Sequence, residues 1–151
     1  MWRVLPLLLI PLFLACADDG DGEGDDVVGP SLPRVTGTWS YSMSNLSGGG
    51  ISCFESGTTL NLYQHGTTFT GSFSGGVFIC GLDAVFVADG RVINGSITSD
   101  SAVSFDMRTD GWHNSGTLSG DSMSGTATVP LDAGPPVGRV TLTGTFAAVR
   151  Q

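Results

Sequence analysis

A short phrase of alternating apolar and small residues recurs along most of the chain. In each copy an apolar residue, a small polar residue, glycine, Ser or Thr, and a second apolar residue follow in order. Clear copies occupy residues 35–39, 69–73, 93–97, 123–127 and 142–146, and a looser copy occupies 114–118. Because side chains alternate between the two faces of a strand, each phrase predicts a strand with its apolar residues and its glycine on one face.

Glycine recurs on this predicted inward face although it is a poor strand former. The glycines of the phrase are Gly37, Gly71, Gly95, Gly116, Gly125 and Gly144. A glycine lets a strand coil sharply and leaves room in the crowded interior of a small barrel. We therefore expect a curved sheet whose inward residues include Trp39, Leu60, Leu62, Phe69, Phe73, Ile93, Ile97, Phe105, Leu142 and Phe146.

Turn-forming residues separate the alternating segments. Pairs and triplets such as His65-Gly66 and Ser119-Gly120-Asp121 are typical of hairpins. The sequence therefore predicts an all-β domain, an antiparallel up-and-down meander that closes into a barrel of about eight strands. Longer loops are expected at 44–57 and 130–138. An open sandwich of two sheets is the alternative architecture.

The N-terminal residues predict export and a lipid anchor. Residues 1–15 carry one positive charge, Arg3, followed by an apolar run that is too short to span a bilayer as a helix but is typical of a signal peptide. The run ends in Phe13-Leu14-Ala15-Cys16, which resembles the bacterial lipobox, where a small residue precedes a cysteine that receives lipid chains. The resemblance implies a membrane anchor on Cys16. The alternative is a plain signal peptide cut before Cys16, which would leave a free thiol.

The segment after Cys16 alternates acidic residues with glycine as far as Pro33. It has no periodic apolar residues and cannot bury enough surface to order itself, and repulsion among its carboxylates would extend it. We therefore divide the chain into a signal peptide at 1–15, a lipidated cysteine with an acidic tether at 16–33, and a barrel domain at 34–151.

The cysteine count supports this division. The chain has three cysteines, an odd number that needs an explanation in an exported protein. If Cys16 carries lipid, Cys53 and Cys80 remain as a pair in an oxidising compartment, and we expect a disulfide between them. In the chain-entropy model this cross-link contributes about 3.5 kcal/mol. Two buried unpaired thiols are the alternative.

Charge and motifs narrow the function classes. The chain has no lysine, and the five arginines after Arg3 face fourteen acidic residues, so the charge that neutralises nucleic-acid phosphates is missing. No serine lies in a nucleophile-elbow pattern, and the two histidines do not stand in a triad context. Three metal ligands at a diagnostic spacing are also missing from the sequence. We therefore expect no nucleic-acid partner, no catalytic residue, no metal and no cofactor.

Two positions resemble a known group of barrels. Gly37-Thr38-Trp39 opens the first predicted strand, and Arg150 ends the last one. This combination resembles the calycins, which include the lipocalins and avidins and commonly open their first strand with Gly-x-Trp. The resemblance implies that Arg150 covers Trp39 and closes one end of the barrel. It does not extend to biotin, because Trp112 stands alone where avidins have several ligand-contacting tryptophans.

Two functions fit these features. The first is a lipid-anchored barrel of the cell envelope, periplasmic or surface-facing, that binds a small apolar ligand in its interior or open mouth. Its predicted ligand contacts are Trp39, Leu60, Leu62, Phe69, Phe73, Phe105, Trp112 and Phe146. The second is a solid barrel that binds another envelope protein through loops at 44–57 and 112–115, as small barrel inhibitors of proteases do.

Overall fold

Antiparallel strands form the framework of the domain. The computed structural model describes residues 31–107 and 111–151, so the predicted signal peptide, Cys16 and nearly all of the tether lie outside the described residues. No helix in the described ranges is long and apolar enough to cross a membrane. The strands in these ranges are β1 (Gly37–Gly48), β2 (Ile51–His65), β3 (Thr68–Cys80), β4 (Asp83–Phe86), β5 (Gly90–Ile97), β6 (Ala102–Met107), β7 (Trp112–Ser119), β8 (Ser122–Asp132) and β9 (Arg139–Arg150).

Pairing of the first and last strands closes the sheet. All pairings are antiparallel, and successive strands pair except β4 and β5. β3 pairs with β2, β4 and β5, and β9 returns to β1 with Arg150 opposite Trp39. Eight strands therefore form a closed barrel, and β4 lies outside it, paired only with β3 among the described residues. The predicted up-and-down barrel is confirmed, and the open sandwich is excluded because no edge of the barrel sheet is left unpaired.

The recurring glycines lie where neighbouring strands approach one another most closely. At five of them, an added Cβ would lie between 2.0 and 2.5 Å from a backbone oxygen of the adjacent strand. Gly116 and Gly125 even face each other across β7 and β8. A side chain at these positions would push the strands apart. This confirms the inward glycine face and gives it a steric cause. The five glycines are Gly71, Gly95, Gly116, Gly125 and Gly144.

Aromatic side chains fill the barrel interior. Tyr41 and Phe146 stack with ring centroids 6.0 Å apart, and Phe105 meets Phe146 edge to face at 5.6 Å. Phe69 adds a third contact with Phe105 at 5.9 Å. All of the predicted inward residues except Ile93 are buried at 2% exposure or less. The centre of the barrel is therefore a packed core.

Ile93 corrects the inward prediction. Asn94 has a φ of 54°, and the pairing of β5 with β6 shifts register between Ile93 and Ser96. This bulge changes which residues face inward, so Val92 is buried and Ile93 is only half-buried. Simple alternation fails here because one extra residue reverses the phase of the strand.

The predicted loop at 44–57 is wrong. This segment contains the end of β1, a tight turn at Gly49 and Gly50 with φ of 57° and 79°, and the start of β2. Its Gly and Ser content favoured a loop, but pairing between the two strands overrides that propensity. The predicted loop at 130–138 is also shorter than expected, because β8 continues to Asp132.

Candidate binding site at one end of the barrel

The end of the barrel that contains Trp39, here called the Trp39 end, is closed by Arg150. The guanidinium carbon Cζ lies 4.5 Å from the centre of the Trp39 ring, and the terminal N–H groups donate to the backbone carbonyls of Thr36 and Arg34. Nε lies 2.8 Å from a carboxylate oxygen of Asp121. The contact between Arg150 and Trp39 that the calycin resemblance implies is therefore confirmed.

The chain before β1 completes this closure. The indole N–H of Trp39 donates to the carbonyl of Val35 at 2.9 Å, and the Val35 N–H donates to Oε1 of Gln64 at 2.6 Å. A Cβ at Gly37 would lie 3.0 Å from Nη1 of Arg150, so glycine makes room for the guanidinium. Local hydrogen bonds and one ring contact thus hold the Trp39 end shut.

The opposite end, here called the Trp112 end, is covered by an extension of the β2–β3 hairpin. Gly57 on β2 and Gly76 on β3 lie next to each other and have φ of 85° and 95°. Left-handed backbone at the same level of both strands bends the hairpin across the barrel end. We call the part beyond the bend the cap; it comprises residues 51–56, residues 77–80 and β4.

Two contacts hold the cap. Cys53 and Cys80 lie opposite each other on β2 and β3 and form the predicted disulfide. Phe78 contacts Trp112 on β7 with ring centroids 5.4 Å apart, although β5 and β6 separate β3 from β7 in the sheet. The cap therefore spans the end of the barrel instead of lengthening its wall.

An apolar cavity of about 240 Å³ opens beside this ring contact. Val85 and Phe86, on its β4 side, are 63% and 85% exposed. Three other cavities bordered by described residues are larger, but each carries several Ser, Thr, Asn or charged side chains. The apolar cavity is lined by Phe78, Val85, Phe86, Val87, Trp112, Val129, Pro130, Leu131 and Asp132.

A polar cluster lies inside the barrel near the same end. The Tyr41 hydroxyl donates to Oδ1 of Asn114 at 2.7 Å, and the Thr58 hydroxyl donates to Oε1 of Glu55 at 2.5 Å. Glu55, Thr58, Tyr41 and Asn114 are each only 1% exposed. A Cβ at Gly76 would lie 2.1 Å from the Thr58 hydroxyl oxygen and 2.7 Å from Oε1 of Glu55, so the bend also makes space for the cluster.

Burial changes the ionisation of this cluster. Loss of solvent raises the pKa of Glu55 from 4.5 to about 7, although hydrogen bonds from Thr58 and from the Met43 backbone act in the opposite direction. Burial and the nearby Glu55 carboxyl raise the pKa of Tyr41 well above its ordinary value of 10.0. Tyr41 is therefore neutral, and Glu55 is largely protonated below neutral pH.

Two buried atoms of the cluster have no hydrogen-bond partner: Oε2 of Glu55 and Nδ2 of Asn114. A buried polar group without a partner costs roughly 1–3 kcal/mol, and such groups are rare in folded proteins. The two atoms lie close to the apolar cavity: Glu55 is paired across the strands with Phe78, and Asn114 follows Trp112 on the same face of β7. Each of the two polar residues is thus a neighbour of one of the two rings that line the cavity.

A second polar group lies on the outer wall, away from the cavity. Nδ1 of His113 lies 2.7 Å from Oδ1 of Asp106, and the amide of Asn94 donates to Oδ2 of Asp106 at 2.7 Å. Partial burial opposes ionisation of Asp106, but these hydrogen bonds outweigh it and lower the pKa of the carboxyl. His113 and the neighbouring Trp112 point to opposite faces of β7, so they do not form one site.

The predicted ligand contacts divide into two groups. Trp112 borders the apolar cavity. The other seven belong to the packed core at 1–2% exposure or less and border none of the described cavities. They are Trp39, Leu60, Leu62, Phe69, Phe73, Phe105 and Phe146. Ligand binding itself stays a prediction, and among its predicted contacts Trp112 is the one that borders a described cavity.

Sequence reasoning missed Glu55, and it placed Asn114 in a predicted contact loop at 112–115, which is wrong because these residues begin strand β7. Glu55 fell within the predicted loop at 44–57, so its inward direction was hidden. The sequence does contain a signal for Asn114, because this residue occupies the first position of the looser copy of the phrase, where the other copies have an apolar residue. A polar residue at a position that the repeat reserves for the core is a signal of a buried polar site.

Comparisons of the chain with protein-family models, with curated protein sequences and with solved structures give no significant match. The fold is consistent with a calycin-like barrel through its eight closed antiparallel strands and the contact between Arg150 and Trp39. Functional assignment therefore depends on the chemistry of the Trp112 end.

Proposed function

We propose that this protein is a non-enzymatic binding module of the bacterial cell envelope, a calycin-like barrel that takes up a small apolar ligand at the Trp112 end. The apolar cavity beside Phe78 and Trp112 is the observation that carries this proposal. Mouths of β-barrels are frequent ligand sites, and apolar walls with a few polar groups are typical of them. The packed core supports a site at the mouth in preference to one along the barrel axis.

The size of the cavity restricts the ligand. A volume of about 240 Å³ is below the usual range for drug-sized ligands, which begins at roughly 300 Å³. The ligand would therefore be small or would extend past Val85 and Phe86 into solvent. Either case favours a molecule that approaches from the β4 side of the cap.

Ligand binding is tested by native mass spectrometry of the protein purified from its natural envelope. A small apolar molecule should copurify with the wild-type chain and with Tyr63→Ala, which alters a cavity on the outer wall. Trp112→Ala should lose the molecule, because it removes one wall of the site. A bare mass for every form, together with no uptake of added apolar probes, would refute the proposal.

We also propose that Cys16 carries the lipid anchor and that the acidic tether holds the barrel away from the membrane. The lipobox-like residues before Cys16 and the even remaining cysteine pair support this location. Cys16→Ser should move the protein from the membrane fraction to the soluble fraction and abolish labelling by a radioactive fatty acid. A membrane-bound, labelled Cys16→Ser protein would contradict the anchor.

A second candidate function is favoured by a different observation at the same end. β4 has one neighbour among the described residues, and Phe54, Leu82 and Phe86 on the cap are 45%, 104% and 85% exposed. An unpaired strand edge beside apolar side chains can accept a strand from a partner protein. Chemical cross-linking in the intact envelope separates the two functions, since a protein cross-link that Leu82→Asp abolishes would favour the partner over the small ligand.

A further inference from the structure

The strongest unexplained feature of the molecule is the pair of unpartnered atoms inside the barrel. Oε2 of Glu55 and Nδ2 of Asn114 are both buried, and both belong to side chains whose other polar atom is already engaged. Neither residue is needed for packing, because an apolar side chain of similar size would fill the same space without an unpaired group. Two such atoms next to an apolar cavity point to recognition of a polar group.

The strand order places this pair directly behind the cavity. From β4 towards β1, Val85, Phe78 and Glu55 lie at one level of the cap, each opposite the next across the strands. Val85 and Phe78 border the cavity, so the ring of Phe78 separates Glu55 from it. Asn114 lies one inward position deeper on β7 than Trp112, which forms the other wall.

Both unpartnered atoms are hydrogen-bond donors when Glu55 is neutral. Oε1 of Glu55 accepts the hydrogen bond from the Thr58 hydroxyl, so the proton of the neutral carboxyl lies on Oε2. Oδ1 of Asn114 accepts from Tyr41, which fixes the orientation of the amide and leaves the Nδ2 hydrogens free to donate. Both donors belong to neighbours of Tyr41, and a single oxygen with two lone pairs can accept a hydrogen bond from each of them.

We propose that the ligand of the Trp112 end is an elongated apolar molecule with one carbonyl group, whose oxygen accepts hydrogen bonds from Nδ2 of Asn114 and Oε2 of Glu55 when the Phe78 ring turns aside. This inference rests on the proposed function, since it names the ligand class of the same site. The alkyl part would occupy the apolar cavity, and the carbonyl would supply the acceptor that both donors lack.

The test compares two probes of equal chain length, methyl hexyl ketone and n-octane, bound to the full chain with Cys16→Ser so that no detergent is needed. Binding is measured from the indole N–H signal of Trp112 and the side-chain amide signal of Asn114 in nitrogen–proton NMR spectra. The ketone should bind about tenfold tighter than octane, as expected for a hydrogen bond in a dry site. It alone should shift the amide signal of Asn114.

Matched variants of Glu55 isolate the hydrogen bond. Glu55→Gln keeps a donor in the place of the carboxyl proton and should keep the tenfold preference for the ketone. Glu55→Met has a similar size but no donor, and the preference should fall to about threefold or less because only Asn114 remains. Thr58 in this variant can still donate to the Gly75 carbonyl, now 3.2 Å away, so no new orphan group is created.

A pH series gives an independent readout. From about pH 5 to about pH 9 the wild-type preference for the ketone should fall from about tenfold to about threefold or less, because an ionised Glu55 cannot donate and only Asn114 remains, whereas Glu55→Gln should show no change. Among the described residues, the groups around Glu55 are Met43 and neutral Tyr41 on β1, Phe78 and the disulfide on the cap, and Asn114 on β7. None of these titrates in that range, so the change reports Glu55.

The outcomes separate the two proposals. Equal affinity for ketone and octane in the wild type, or an unchanged preference in Glu55→Met, would overturn the carbonyl inference while leaving apolar binding intact. Failure of both probes to bind would instead overturn the proposed function. A protein that binds the ketone at the outer wall, with a shift of Tyr63 signals and none of Asn114, would also count against the inference.

Discussion

The two ends of the barrel are closed in different ways. At the Trp39 end, the Arg150 guanidinium lies over the Trp39 indole ring and donates hydrogen bonds to two backbone carbonyls. It also pairs with the Asp121 carboxylate. At the Trp112 end, a bent hairpin crosses the opening and meets the far wall through Phe78. At the first closure Nε of Arg150 makes no hydrogen bond but lies 2.8 Å from the Asp121 carboxylate, whereas at the second Oε2 of Glu55 and Nδ2 of Asn114 are buried with neither a hydrogen bond nor a charged partner.

Under the proposed function, this difference separates an end that serves stability from an end that serves binding. Stability is best served where each buried donor has an acceptor, while binding sites keep groups that are satisfied only when a ligand arrives. The Trp39 end follows the first pattern and the Trp112 end follows the second. Substitutions at the Trp39 end should therefore change only the free energy of unfolding, whereas those at the Trp112 end should change both this free energy and its dependence on pH.

The largest effect is expected at the Trp39 end. Arg150→Met should lower the free energy of unfolding by about 4 kcal/mol, since it removes a cation–π contact and hydrogen bonds from a charged donor. Urea denaturation measures this loss. Arg91→Met, at an exposed position on the outer wall, serves as the control and should change stability by less than about 0.5 kcal/mol. Equal effects of the two substitutions would show that Arg150 does not close the barrel.

The disulfide holds the cap and should rank second. Replacing both Cys53 and Cys80 with alanine should destabilise the protein by about 3.5 kcal/mol in the chain-entropy model for this loop. Hydrogen exchange should show faster opening of the cap amides than of β8 and β9, because the cap loses its cross-link while the barrel wall does not. Uniform acceleration across all strands would mean that the cap and the barrel unfold as one unit.

Glu55 makes the stability of the Trp112 end depend on pH. Its pKa is raised in the folded protein from 4.5 to about 7, so its contribution is fully present below pH 4.5 and is lost as pH rises through about 7. The total loss over this window is about 3 kcal/mol. Unfolding of wild type and Glu55→Gln across the window measures the difference. Parallel pH profiles would show that Glu55 has an ordinary pKa in the folded protein and would contradict its burial in the cluster.

The smallest effect is expected for the ion pair of the Trp39 end. Asp121 is 76% exposed, so solvent screens its contact with Arg150. Asp121→Asn should change the free energy of unfolding by less than about 0.5 kcal/mol, and added salt should reduce even that difference. A loss comparable to that of Arg150→Met would place the main stabilising contact on the carboxylate instead of on the indole ring.

Much of the fold could be predicted because its determinants are local. The phrase with a central glycine repeats wherever a wall strand must pass close to its neighbour, and the hairpin turns are marked by Gly and Asp. The contact at the Trp39 end was predicted from the resemblance to the calycins, and the structure places Trp39 opposite Arg150 where β1 and β9 close the barrel. The cysteine pair followed from counting.

The Trp112 end could not be predicted in the same way. Residues at or next to the bends of β1, β2 and β3 have positive φ, and at these bends the inward face changes from one set of alternate residues to the other. In the barrel-wall part of β2, Leu60 and Leu62 face inward, whereas in its cap part Cys53 and Glu55 face inward. A pattern read with one fixed period therefore assigns Glu55 to a loop or to the wrong face.

The sequence by itself determined the class of the fold, the closed meander and the glycine positions, because each depends on spacing and on residues that act over short distances. The contact at the Trp39 end was predicted from the resemblance to the calycins. Only the tertiary structure decided that the core is packed, that the β2–β3 hairpin bends over the barrel, and that Glu55 and Asn114 are both buried near Tyr41. The physical reason is that bulges shift strand phase at points set by pairing with other strands, and a buried polar pair forms only when such shifts bring distant strands face to face.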